Sequence, residues 1–179
     1  MAAEQGIEML AITDHDDEPG TASRVLSYRF PKKHQGVQIL AGIEFFIRVP
    51  RSIKIADLDI CLAGFHPQGR NKGGDAASRT DELEACLAHF PFVDVITHPG
   101  IRGYDLEPLR SARLAAKHGV ALEVNNCALR YGKEQAESVL EWLAAARQEH
   151  CLICTNSDTH AVGELGGDEQ TGPLVERAG

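Results

Sequence analysis

Six short apolar runs recur along the chain, and polar residues close each of them. The runs are residues 8–13 (EMLAIT), 37–43 (VQILAGI), 58–65 (LDICLAGF), 93–97 (VDVIT), 120–125 (VALEVN) and 151–155 (CLICT). Near-continuous apolar, β-branched runs of this length are the pattern of strands covered on both faces. Helical spacing lies between the later runs. Across residues 133–148, Ala136, Val139, Leu140, Leu143 and Ala144 fall on one face at 3.6-residue periodicity. Leu106, Leu109 and Leu114 give residues 107–117 a similar stripe, and Leu83, Cys86 and Leu87 do so for residues 79–89. Strands alternating with helices predict βα units and a parallel sheet, open or closed into a barrel. Residues 67–78 (PQGRNKGGDAAS) read as a solvated loop, and the stretch from about 161, rich in Gly and Glu, reads as a weakly structured tail.

Composition narrows the class. With 179 residues, 43% hydrophobic and 25% charged, the chain can bury one core, so a single domain over residues 1–179 is expected. The formal net charge of −8 repels phosphate backbones and argues against a nucleic-acid partner. No apolar run reaches the roughly 18 residues of a membrane span. The opening Met-Ala-Ala-Glu-Gln-Gly lacks the basic and apolar regions of a signal peptide, which points to the cytoplasm. Five cysteines (Cys61, Cys86, Cys127, Cys151 and Cys154) are scattered and odd in number. The C-x-x-C of Cys151 and Cys154 lies in an apolar run, where residues three apart point to opposite faces of a strand. No second pair exists to complete a four-sulfur zinc site, so both read as structural.

The informative chemistry follows the strands. The first runs into Thr13-Asp14-His15, the second into Glu44, the third into Gly64-Phe65-His66 and the fourth into Thr97-His98-Pro99-Gly100. The fifth ends on Glu123-Val124-Asn125-Asn126 and the sixth on Asn156-Ser157-Asp158-Thr159-His160. In parallel α/β folds the carboxyl ends of the strands meet on one face, where ligands bind. Imidazoles and carboxylates delivered to one rim suit a polynuclear site for zinc, manganese or iron. The candidate ligands are His15, Glu44, His66, His98, Asp158 and His160. Asp158 and His160 are two apart, so an extended backbone turns both to the same side. Asp14 has two readings, a partner fixing the His15 imidazole or a turn residue. The other four histidines are placed blandly: His118, His150 and His89 near helix C-termini, and His34 in a loop beside Lys32 and Lys33.

In this order AITDHD, GIE, GFH, THPG, ALEVNN and NSDTH resemble the PHP (polymerase and histidinol phosphatase) family of metal-dependent phosphoesterases. Within it they resemble the small stand-alone bacterial phosphatase branch with a three-metal site, over a span from about Gly6 to His160. The resemblance implies a distorted (β/α)7 barrel, an α/β fold, and a small phosphorylated substrate. It also implies that Glu44 bridges two metals, one shared with Asp158 and the other with His66 and His98, while His15 and His160 serve a third. Family members carry a His-x-His strand and a further histidine before the TDH segment, which here begins at Thr13. The expected fold therefore lacks its first strand, and Glu44, His66 and His98 form the one complete ligand set. Edges left open by that gap would invite a second copy to pair.

The function so implied is hydrolysis of a phosphate monoester by metal-activated water. Arg102 and Arg130, just beyond two strand ends, read either as phosphate clamps or as solvated surface arginines. Two other readings stay open: a catalytically impaired metal-binding remnant or accessory module, and an amidohydrolase-type metal hydrolase. The latter usually needs a carboxylated lysine at a strand end, and none of Lys32, Lys33, Lys54, Lys72, Lys117 and Lys133 sits there.

Overall fold

Every βα unit needs a strand with one face for helices, and the register of the sheet provides it. A computed structural model describes residues 2–15, 32–47, 58–66 and 74–179. The strands are β1 (Met9–His15), β2 (Lys33–His34), β3 (Val37–Phe46), β4 (Ile60–Gly64), β5 (Val95–Ile96), β6 (Ala121–Asn125) and β7 (Ile153–Asn156). The α-helices are α1 (Ala76–His89), α2 (Pro108–His118), α3 (Asn126–Arg130), α4 (Ala136–Gln148) and α5 (Gly172–Ala178). Single 3-10 turns cover Ala3–Gln5 and Val162–Glu164. The sheet order is β1-β3-β4-β5-β6-β7, with every neighbouring pair in that path parallel. It is a parallel half-barrel whose edges, β1 and β7, face each other across a cavity of about 640 Å³. Among the described residues no helix is long and apolar enough to cross a membrane.

All six expected strands form, but their ends shift. β1 runs on to His15 and β3 to Phe46, so His15 and Glu44 lie inside strands and are register partners. β2 is an addition that pairs antiparallel with β3, so His34 lies in a strand and not in the expected loop. A two-residue turn joins them, with Gln35 at φ 48° and Gly36 at φ 88°, the left-handed pair that a tight hairpin requires.

Register sorts the side chains. Ile43 pairs with Cys61, Ala63 with Ile96 and Ile96 with Leu122, and these positions share the outer face. They pack with Leu83, Cys86 and Leu87 of α1, Ala112, Leu114 and Ala115 of α2, and Trp142 and Ala146 of α4 in one buried cluster. The alternate positions, Thr13, His15, Glu44, Leu62, Glu123 and Asn125, face inward.

Three expectations about the helices need correction. In α4 the buried stripe is Val139, Trp142, Leu143 and Ala146, while Ala144 is exposed. Val139, Trp142, Leu143 and Ala146 keep i, i+3, i+4, i+7 spacing on one face, and Ala144 falls outside it. Leu109 is 40% exposed; the buried face of α2 is Ser111, Ala112, Leu114 and Ala115. The supposed tail contains α5, whose Leu174, Val175 and Ala178 join Val124, Val139 and Leu143 in a second apolar cluster. That helix opens with a proline in its first turn, a signal that the surrounding Gly-rich composition masks. The expected loop also ends early, because α1 begins at Ala76 with the Asp75 side chain accepting from the Ser78 N–H at 2.9 Å; residues 67–73 lie outside the described residues.

Gly42 lets Thr13 of β1 and Ile60 of β4 close over the inner face of β3. A Cβ there would stand 2.6 Å from Ile60 Cγ2, 2.7 Å from Thr13 Cγ2 and 2.9 Å from the Ile60 carbonyl. Gly42→Ala is expected to destabilise the fold by about 1–3 kcal/mol through overpacking, measured by denaturant unfolding. An unchanged midpoint would contradict this packing.

Candidate metal centre

Glu44 is the hub of the inner face. It is 5% exposed, and three imidazoles from three other strand ends surround its carboxylate. His98 Nε2 lies 3.1 Å and His66 Nε2 3.4 Å from Glu44 Oε1, and His15 Nδ1 lies 3.8 Å from Oε2. The His15 and His66 rings meet edge to face at 4.5 Å, as do those of His66 and His98 at 5.0 Å. His15, Glu44 and His66 offer ligand atoms that all lie within 4.8 Å of one another. Burial pushes the Glu44 carboxyl up, but the hydrogen bond and charge of His98, with His66 and His15, outweigh it and hold it near 2. Burial pulls His98 down, and the hydrogen bond and charge of Glu44 more than offset this, raising it to about 8.

Close backbone approach brings His98 into place. A Cβ on Gly64 would stand 2.1 Å from Thr97 Oγ1 and 3.2 Å from His98 Cε1, so only glycine lets the turn after β5 press against β4. His98 adopts φ 30°, in the left-handed region, and its N–H donates to Glu123 Oε2 at 2.7 Å. Glu123, 5% exposed, also accepts from Asn125 Nδ2 at 3.0 Å and Asn156 Nδ2 at 2.9 Å. Burial leaves its carboxyl raised from the ordinary value. Asn125 Nδ2 donates as well to Asp158 Oδ2 at 3.0 Å, carrying the network to the far side of the centre.

That far side holds Asp158 and His160. The His160 Nδ1 atom lies 3.7 Å from Asp158 Oδ1 and 3.1 Å from the Asp158 carbonyl oxygen. Cys127, Asp158 and His160 bring ligand atoms within 4.8 Å of one another. The His15 and His160 rings stack at 6.2 Å, which joins the two groups. Thus the six residues expected as ligands are all at one end of the sheet, in two adjoining clusters. Asp14 stands on the opposite face from His15, exposed. Arg102 is exposed, and Arg130 is exposed with its guanidinium 4.0 Å from Glu164.

Glu123, Asn125, Asn156 and Cys127 were not among the expected site residues. Glu123 had a signal, a carboxylate inside an otherwise apolar strand. Glu134 had none. It is 4% exposed, and a Cβ on Gly100 would stand 2.2 Å from its Oε1, 2.7 Å from Ser138 Oγ and 2.7 Å from Trp142 Nε1. Its Oε2 is buried without a hydrogen-bond partner among the described residues. Burial raises this carboxyl to about 7. The C-x-x-C cysteines are free and partly buried, as are the chain's other thiols free.

Comparison with known proteins finds this chain similar to phosphatases. A protein of Shewanella piezotolerans named "Probable phosphatase" is 32% identical over 187 aligned positions, covering 98% of this chain and 75% of that one. "Probable phosphatase YcdX" of Escherichia coli is 34% identical over 180 positions, covering 94% and 73%. Among solved structures, histidinol phosphate phosphatase from Lactococcus lactis, complexed with zinc, L-histidinol and phosphate, superposes with a TM-score of 0.67. It is 13% identical, and the match covers 99% of this chain and 84% of the other. No family model matches the chain.

Glu134 makes stability depend on pH. Its folded value of about 7 lies above the ordinary 4.5, so folding favours the protonated form. That contribution is fully present below about 4.5 and is lost as pH rises through about 7, on the order of 3 kcal/mol in all. Glu134→Gln, which keeps an acceptor for the Gly100 N–H, is expected to be more stable than the parent at about pH 8, with a smaller difference at about pH 5. A pH-independent difference in unfolding midpoint would overturn this.

Proposed function

This chain belongs to the PHP family, and from that premise we propose that it is a metal-dependent hydrolase of phosphate monoesters acting on a small phosphorylated substrate. The observation that carries the reading is the meeting of His66 Nε2 and His98 Nε2 on one oxygen of buried Glu44, with His15 on the other. Three imidazoles around a carboxylate form a nitrogen and oxygen donor set that zinc, manganese or iron takes. The residues therefore fit a divalent metal. His15, Glu44, His66 and His98 would hold it, and Asp158 and His160 would bind beside them. A bound divalent cation supplies Lewis-acid neutralisation of phosphate charge and activation of water.

The chain's own residues prepare the site. Glu123 fixes the backbone of His98 and, through Asn125, aims Asp158. Such partners commonly set ligand orientation as firmly as the ligands themselves. The net charge of −8 would oppose a phosphate dianion, so local cations must offset it. Arg102 and Arg130 are the proposed side-chain contacts to phosphate; Arg130, on α3, lies close enough for its charge to act on Cys127.

The reading is tested with p-nitrophenyl phosphate and added zinc or manganese. Chelation is expected to abolish turnover, and His66→Ala or His98→Ala to lower kcat/KM by about 100-fold or more. Hydrolysis that survives both would overturn the metal-dependent reading. Metal uptake with no turnover of any phosphomonoester would overturn the enzymatic reading and leave a metal-binding module.

A further inference from the structure

We propose that Glu134 is the positioning residue for His98, its Oε2 taking the Nδ1–H of that imidazole when Nε2 holds a divalent metal. The proposal rests on the metal reading above for His98 and adds a carboxylate from outside the ligand set.

Hydrogen-bond accounting carries it. His98 is 5% exposed and turns Nε2 to Glu44 Oε1, so in the neutral, metal-binding ring the remaining proton stands on Nδ1. Nδ1 is buried without a hydrogen-bond partner among the described residues, and so is Glu134 Oε2. Buried polar atoms are rarely left unmet. Solvent cannot serve Nδ1 from the apolar side, because the cavity that His98 lines with Ile47, Phe65, Ile96 and Leu106 has no room for a water molecule.

A second set of contacts directs Glu134 to this turn. A Cβ on Gly100 would stand 2.2 Å from Glu134 Oε1, so that oxygen is pressed against the backbone two residues beyond His98. The Arg102 N–H donates to the Lys133 carbonyl at 2.9 Å, and the Glu134 N–H donates to the Ala128 carbonyl at 3.1 Å. Glu134 is thereby pinned between the turn after β5 and α3. After burial, the charge of His98 is the largest influence on its carboxyl. Oε1 serves Gly100, and Oε2 is left for the imidazole. Contacts of this kind are commonly long in the free protein and tighten on binding. A carboxylate behind a ligating imidazole fixes its tautomer and ring orientation and raises its basicity.

The test titrates zinc into the whole chain and follows the His98 ring by NMR, with heavy nitrogen in the histidine rings. The zinc-loaded parent is expected to show a slowly exchanging, downfield Nδ1–H. Glu134→Gln keeps the shape but has one acceptor, which the Gly100 N–H takes, so its amide donor faces the Nδ1–H. This variant is expected to lose the downfield proton and to bind zinc about 10–100-fold more weakly, although it is the more stable chain at alkaline pH. That opposition separates positioning from a structural role. Thr97→Val removes the unmet hydroxyl next to His98 in the chain and is expected to keep the signal. Unchanged zinc affinity or an unchanged proton signal in Glu134→Gln overturns the proposal. So does a signal absent from the zinc-loaded parent, or lost in Thr97→Val alone; each leaves the metal reading intact. A parent that binds no zinc overturns both.

Discussion

A carboxylate that is 5% exposed cannot keep its charge without compensation, and Glu44 keeps it because three imidazoles face it. Burying an isolated charge costs far more than a domain's net stability. Glu44 therefore requires His15, His66 and His98 in place, and each of these arrives on a different element. β1, β3, β4 and the turn after β5 must hold their register for the group to assemble. The same proximity that makes Glu44 affordable without metal makes its oxygens and the imidazole nitrogens a ready donor set for a cation.

Neutral amides extend this constraint across the sheet. Glu123 is a second buried carboxylate only a strand away, and burial raises it from its ordinary value where His98 and His66 lower Glu44. It accepts three hydrogen bonds, from the His98 backbone and the Asn125 and Asn156 side chains. Two carboxylates thus share one rim with different roles: one faces imidazoles, the other holds backbone and amides. Glycines at Gly42, Gly64 and Gly100 allow the approach, since a Cβ at any of them would meet a neighbour closer than 3 Å. The candidate metal centre is consequently a property of strand spacing as much as of the side chains that line it.

Parallel strands, their order of appearance and the polar residue closing each one were legible along the chain, because covered strands demand apolar runs and leave polar residues only at their ends. So was the placement of His15, Glu44, His66, His98, Asp158 and His160 at one end of the sheet, since a polar residue after an apolar run has a definite place on a parallel sheet. Strand ends were less legible. His15 and Glu44 extend their strands because the pairing of β1 with β3 continues past the apolar stretch. Nothing in a periodic pattern reports where a neighbour stops pairing.

Other features depend on contacts between distant segments. Trp142 and not Ala144 lies in the α4 stripe because packing against the two apolar clusters turns the face of Val139, Trp142, Leu143 and Ala146 inward. α5 exists because Leu174 finds Val139 and Leu143 to cover, a partner far away in the chain. Glu134 was invisible because its burial depends on Gly100, Ser138 and Trp142 meeting around it. Cys127 reads as one thiol among five until Asn125 ties its helix turn to Asp158. Local periodicity marks which polar residues close each apolar run, because it encodes which side of a strand is dry. Which of those residues touch, and which unmarked ones join them, depends on distances between segments far apart in the chain, and these exist only once the sheet has folded.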